Sequence, residues 1–306
     1  MRILIVGAGA IGGYFGGRLL QAGRDVTFLV RPGRAAELAR DGLVIKSPNG
    51  DATIANPPAL QSAELKPDYD LVLLSCKAFD LDDAIASFAP GVGPQTTVLP
   101  LLNGLKHLDV LDAKFGRDRV LGGQCVIAAM LDAQRHVVQL APMNSITFGE
   151  RDGGTSPRVT AIAAALGGAG FDVNASADVM QEMWEKWTFL ATLAGSTSLM
   201  RAPVGDILAA PGGAEFILRV LEEISAIATA AGHPPRAPFV ERTRGMLLAA
   251  GSKLTASMFR DIQAGAKIEA DHVIGDLIAR GDVASLPVDR LRVIYTHLKA
   301  YESQRG

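Results

Sequence analysis

The run "ILIVGAGAIGGYFGGRLLQAG" constrains the fold more than any other part of the chain. Gly7, Gly9 and Gly12 follow an apolar strand directly, in G-x-G-x-x-G order, and open a helix. Gly7 permits the tight turn, Gly9 leaves room for a pyrophosphate to touch backbone, and Gly12 lets the helix pack closely on the strand. The helix N-terminus adds unbonded N–H groups and a favourable dipole. The pattern alone is weak, and its bland alternative is a glycine-rich helix packed on a strand. A second strand, "DVTFLV", at the expected distance turns it into a prediction of a dinucleotide-binding β-α-β unit. The glycine offsets and Arg18 also argue against reading the same run as a secretory leader.

Strand-like runs continue through the first half: "LVLLSC", "TVLPL", "QCVIAAML", "HVVQL", "SITFGE" and "FDVNA", with amphipathic stretches such as "RAAELARDG" and "LDDAIASF" between several of them. Such alternation predicts a mostly parallel sheet with right-handed crossovers. The runs from "QCVIAAML" to "SITFGE" are too close for helical crossovers, so they are expected to be antiparallel strands extending that sheet. After Ala175 the periodicity becomes helical, with breakers at "RAPVGD", "APGG", "AGHPPRAP" and "LPV". The predicted fold is α/β: an N-terminal Rossmann-like doubly wound sheet over residues 1–175, then an all-helical domain over 176–306. A chain of 306 residues supplies enough material for both cores.

Composition narrows the function classes. A formal charge of −2 gives no electrostatic reason to expect nucleic acid or an anionic membrane as partner, and no run is apolar and long enough to span a bilayer. The five histidines and two cysteines lack metal-ligand spacing, so no metal is predicted, and so few cysteines fit a reduced cytoplasmic setting. The partner expected is a small molecule, and a homodimer is left open.

Polar residues at strand ends come next. Between Val26 and Ala36, where NAD-binding proteins place an acid for the ribose diol, there is none; Arg31 and Arg34 stand there instead. An arginine can pair with a 2′-phosphate that a carboxylate would repel, which favours NADP, although both residues also fit a solvated loop. Lys77 in "LVLLSCKAFD" and Asn103 in "TVLPLLNGL" fall at carboxyl ends of strands, where such sheets hold ligand. Lys77 can carry charge toward phosphate or a substrate carboxylate, and Asn103 can hydrogen-bond nicotinamide or substrate. Their alternatives are a snorkelling lysine and an ordinary Asn-Gly turn.

The chain resembles the ketopantoate reductase (2-dehydropantoate 2-reductase) family nearly end to end. The resemblance rests on "GAGAIG", "CKAFD", "NGL", "WEKW", the P-x-G-D-I segment Pro203–Ile207 and "SMFRDIQAGAKIEADHVIG". It implies that Lys186 is the catalytic lysine, that Asn103 is the family's Asn-Gly asparagine, and that Ser257 and Glu269 serve the substrate. By the same resemblance, Lys186 gives a proton to a carbonyl oxygen as hydride arrives from NADPH, in a partly dry cleft, while Glu269 orients the lysine or the substrate. Without it, Lys186 reads as an exposed helix lysine, Glu269 as a surface acid and Ser257 as a helix N-cap or a simply solvated serine.

Three positions depart from the family. Its asparagines four and eight residues after the lysine are Leu190 and Ala194 here, and a third is Val204. A substrate hydroxyl facing Leu190 lacks a partner, a loss of about 1–3 kcal/mol for a buried group. The resemblance therefore implies an NADP-dependent reductase of a 2-oxo acid, one more apolar or differently shaped than ketopantoate. Its rival is a catalytically silent NADP(H)-binding regulator or sensor that keeps the nucleotide site. Thr192, Ser196 and Ser198 are weak substitutes for the lost amides, since each residue turns about 100° around a helix.

Overall fold

The computed structural model describes residues 1–305. Two compact units emerge: Met1–Leu102 with His107–Val179, and Asn103–Lys106 with the chain from Met180 onward.

The first unit runs β1 (Arg2–Val6), α1 (Ala10–Gln21), β2 (Asp25–Leu29), α2 (Pro32–Asp41), β3 (Leu43–Lys46), β4 (Ala52–Ile54), β5 (Ala59–Leu60), β6 (Leu71–Leu74), α3 (Leu81–Phe88), β7 (Thr97–Pro100), α4 (Lys106–Phe115), β8 (Gly122–Leu131), β9 (Val137–Gly149), α5 (Pro157–Leu166) and β10 (Asp172–Ala175). Five strands form the predicted parallel sheet, in the order β5-β2-β1-β6-β7. Strands "RILIV" and "LVLL" are apolar at nearly every position because both faces of a parallel sheet are covered, and all of β6 is buried. The order reverses between β1 and β6. Ligands in such sheets lie beyond the carboxyl ends of the strands at that switch, where Gly7 and the Ser75–Lys77 segment follow.

One expectation needs correcting. Strands β8 and β9 are antiparallel as predicted, yet they do not extend the first sheet. They belong to a second sheet, β10-β9-β3-β4, with β8 on the other side of β9. The chain does touch the edge of β7: Val120 bridges Val98 in parallel, with Leu121 N–H on the Val98 carbonyl at 3.0 Å. The next rung would need an N–H from Pro100, which has none, so the pairing stops and the chain leaves for the second sheet. The runs "HVVQL" and "SITFGE" are one strand, β9, with a bulge between Ile127 and Ala129 of its partner.

The second unit is helical: α6 (Val179–Met200), α7 (Val204–Ala209), α8 (Gly213–Ala230), α9 (Ala237–Leu247), α10 (Ser257–Gln263), a π turn (Asp271–Gly275) running into α11 (Asp276–Val283), and α12 (Asp289–Arg305). The predicted breakers act where expected: Pro203 is the N-cap of α7, and Gly212, in left-handed conformation, precedes α8. Apolar positions of α8 such as Ile217, Val220, Ile224 and Ile227 recur at helical spacing and are buried, as are Leu291, Ile294 and Leu298 of α12. The Glu223 carboxylate on α8 accepts from the N–H groups of Arg290 and Leu291, both at 3.2 Å, satisfying donors at the positive end of α12. Along α6, the buried hydroxyls of Thr188, Thr192 and Thr197 donate to the carbonyls of Trp184, Thr188 and Leu193 one turn back, at 2.7–2.9 Å. That back-bonding lets a polar sequence run through a packed helix. No described helix is long and apolar enough to cross a membrane.

Buried Glu185 anchors α6 to the start of α9. Its carboxylate accepts from Arg236 N–H at 2.9 Å, Nε at 2.8 Å and Nη2 at 2.6 Å, and from Gln181 Nε2 at 3.2 Å. Burial raises the Glu185 pKa, but the Arg236 and Gln181 contacts outweigh it and leave the carboxyl below its ordinary value. A carboxyl depressed in the folded state stabilises above its unfolded pKa, about 4.3, and that contribution is lost as pH falls through the folded value. We therefore expect Glu185→Gln to lower stability to urea at pH 7 by about 2 kcal/mol, less than for a fully buried pair because Arg236 is half exposed. The deficit should shrink as pH falls below 4; an equal deficit at both pH values would contradict this assignment.

Candidate active site

In the first unit, Gly7 has φ +90° and donates its N–H to the Leu29 carbonyl at 2.9 Å, which closes the turn after β1. Gly9 is the N-cap of α1. No side chain caps the helix there, and its first turn holds no acid. A Cβ on Gly9 would meet nothing within 4 Å, so the backbone amides at this end stay open to a ligand. A Cβ on Gly12 would lie 2.2 Å from the Gly7 carbonyl oxygen and 2.6 Å from Ser75 Oγ, so only glycine fits. An uncapped, neutral helix N-terminus with an open flank suits a pyrophosphate.

Beyond β2 the two arginines separate. Arg34 is the more buried: its Nε donates to the Ala8 carbonyl at 3.0 Å and its Nη1 to Glu37 at 2.8 Å, so it buttresses the glycine turn from behind. Arg31 is the N-cap residue of α2, with its side chain 69% exposed, and its Nη2 lies 3.2 Å from Asp80 and 3.4 Å from Asp83. Nothing in the sequence linked Asp80 and Asp83 to Arg31, because that contact depends on α3 following β6 at the switch point. Lys77 is half-buried and caps the short 3-10 turn Ala78–Asp80 just after β6.

In the second unit, Asn103 and Gly104 (φ +72°) make the expected turn. Its partner is unexpected: the ring of His272 donates to the Asn103 backbone carbonyl. A Cβ on Gly104 would sit 3.0 Å from His272 Cδ2 and 3.0 Å from the His272 carbonyl oxygen. Lys186 lies half-buried on α6 between Glu185 and Trp187. Trp187 is only 1% exposed and donates its Nε1–H to the Val273 carbonyl at 3.0 Å. Arg280 spreads over both tryptophans, 5.6 Å from the Trp184 ring and 5.7 Å from Trp187, with its Nε held by Asp276 at 3.0 Å. Glu269 is buried in the turn before the π segment, and its carbonyl accepts from Val273 N–H at 2.9 Å. The π turn thus touches the Asn103–Gly104 turn, follows Glu269 and accepts from Trp187, the residue after Lys186.

Ser257 is set apart. It is the first residue of α10, whose N-cap is Ala256, so the N-cap alternative does not hold. The Ala256 N–H lies 3.5 Å from Thr197 Oγ1, which docks α10 about three turns along α6 from Lys186. Between these points Leu190 is half-buried and Ala194 fully buried; Val204, at the start of α7, is fully buried as well. The hydroxyl of Thr192 is committed to the Thr188 carbonyl.

Comparison with known proteins matches this arrangement. The profile of ketopantoate reductase PanE/ApbA matches residues 3–153, and that of its C-terminal domain matches residues 178–302. The chain is 34% identical to an uncharacterized oxidoreductase, YkpB, of Bacillus subtilis (strain 168), over the full length of both. Among solved structures, 2-dehydropantoate 2-reductase from Geobacter metallireducens GS-15 superposes with a TM-score of 0.89 at 29% identity, covering 98% of this chain and 99% of that one. D-mandelate dehydrogenase, in a ternary structure with NADH and anilino(oxo)acetate, shares the fold with a TM-score of 0.88 at 19% identity, covering 100% and 99%. Its two halves, its glycine turn and its helical C-terminal region make the chain an oxidoreductase of the ketopantoate reductase PanE/ApbA family.

Proposed function

We propose that the protein reduces a 2-oxo acid with NADPH, with Lys186 as the general acid. The observation that carries this reading is the π turn of the second unit, which touches Asn103, follows Glu269 and is bonded to Trp187 beside Lys186. When bound, NADPH supplies a hydride to the carbonyl carbon. The Lys186 ammonium stabilises the negative charge that develops on the carbonyl oxygen and gives it a proton, which leaves a hydroxyl on the product and a neutral amine on the lysine. Glu269, buried in the same unit, orients that ammonium or the substrate. Asn103 hydrogen-bonds nicotinamide or substrate, and Ser257 takes the far end of the substrate.

For the cofactor, Gly7, Gly9 and Gly12 form the pyrophosphate turn, and Lys77 lends positive charge near it. Arg31 supplies an exposed guanidinium at the end of β2, where a 2′-phosphate would replace its weak ion pairs with Asp80 and Asp83. For the substrate, Leu190 offers an apolar contact one turn from Lys186, and neither buried Ala194 further along α6 nor buried Val204 at the start of α7 carries an amide. This fits a 2-oxo acid with an apolar substituent at the position of ketopantoate's hydroxyl. The same burial favours a second reading, in which the protein binds NADP(H) as a silent regulator.

One assay separates the two: oxidation of NADPH by purified protein across a panel of 2-oxo acids that includes ketopantoate and phenyl- and alkyl-substituted members. Turnover with an apolar member is expected, and Lys186→Ala should lower kcat by about 10²–10⁴ while NADPH binding, followed by fluorescence, persists. Tight binding without turnover across the panel would establish the regulator instead. Arg31→Ala should weaken NADPH binding by about 10- to 100-fold, the scale of a lost charge-assisted hydrogen bond, and leave NADH nearly unchanged; equal losses would argue against NADP. Leu190→Asn, at the one accessible site among the three departures, should raise kcat/KM for ketopantoate by about tenfold by restoring a partner to its hydroxyl. A ketopantoate rate that does not rise would remove the pocket argument.

A further inference from the structure

Between Glu269 and α11 the backbone departs from α-helical geometry for five residues, Asp271–Gly275. A π turn takes an extra residue into the helix and breaks the regular carbonyl ladder, so it can offer groups that a straight helix keeps for itself. Here the Val273 carbonyl is given to Trp187 Nε1, next to Lys186. One residue earlier, the buried His272 ring donates to the Asn103 carbonyl and packs where Gly104 has no side chain. Resting on the proposed reductase reading, in which Asn103, Lys186 and Glu269 work together, these contacts give His272 a role of its own.

We propose that His272 is a positioning residue: its ring N–H hangs the Asn103–Gly104 turn on the π turn and thereby holds the Asn103 side chain in register with Glu269 and Lys186. The fit is tight on both sides. Gly104 sits at φ +72°, and any Cβ there would press on the His272 ring and on its carbonyl. An imidazole in this place must keep its N–H toward Asn103, and the neutral ring does so without bringing a charge into the core. Burial lowers the pKa of His272 below its ordinary value, and Lys106 acts in the same direction. Glu269, Asp276 and the Asn103 carbonyl oppose the shift without reversing it. The neutral form is therefore the working form at pH 7, and protonation follows only as pH falls below the usual histidine range, about 6.5.

The test compares His272→Phe, which keeps a ring but no donor, with His272→Asn and His272→Gln, whose amide N–H groups approximate the two ring nitrogens. With NADPH and the best 2-oxo acid of the panel, His272→Phe should lose at least tenfold in kcat while Lys186 and Glu269 remain in place. One of the two amide variants should stay within about threefold of wild type. Hydrogen exchange at the Gly104 segment needs no turnover: it should rise in His272→Phe and stay low in the rescuing amide variant. Wild-type kcat, pH profile and exchange in His272→Phe would overturn the proposal while leaving the reductase reading intact. Absence of turnover in the wild type against every 2-oxo acid would overturn that reading and this role with it. If His272→Phe does not fold, failure of both amide variants to restore kcat and exchange overturns the proposal equally.

Discussion

Everything in the first unit that bears on nucleotide binding depends on one close approach of backbone to backbone. With a prospective Cβ at Gly12 only 2.2 Å from the Gly7 carbonyl, α1 can lie against β1 only because that position has no side chain. The approach fixes the direction of α1, which aims its open N-terminal amides past Gly9. Arg34 reinforces the same turn from outside by holding the Ala8 carbonyl, whereas the Arg31 side chain is exposed.

The second unit solves a different problem, that of collecting residues far apart in sequence around one long helix. It does so with irregular backbone. The π turn at Asp271–Gly275 makes the Val273 carbonyl available to Trp187, and the Asn103–Gly104 turn meets His272 on the same segment. Buried threonines on α6 satisfy their own hydroxyls by bonding backward, so the helix can stay packed on several sides. Of the hydroxyls that looked like replacement ligands, that of Thr192 is thereby committed to the backbone.

The parallel sheet, the glycine turn and the helical C-terminal region were legible because each leaves a local pattern: a glycine spacing, runs of buried aliphatic residues, breakers between helical stretches. The second sheet was not legible. Strand β3 is short, and its pairing with Val137 and Val138 of β9 spans some ninety positions that no periodicity reports. The end of the ladder at Pro100 was visible as a proline, but its importance appeared only once Val120 was found beside Val98. For the candidate site, Lys186, Asn103 and Glu269 were proposed from resemblance, whereas nothing in the sequence pointed to His272. A histidine inside "EADHVIG" carries no signal until the Asn-Gly turn is seen against its ring.

Both tryptophans of this chain stand on one turn of α6, on either side of Glu185 and Lys186, with ring centroids 5.1 Å apart. They are almost fully buried, and the Arg280 guanidinium lies across them. The tryptophan emission of the protein therefore arises from a single spot beside the candidate lysine. Any ligand that shifts the polarity or packing of that spot changes the colour and intensity of the emitted light directly, so the molecule carries its own optical gauge of occupancy at Lys186 without an added label.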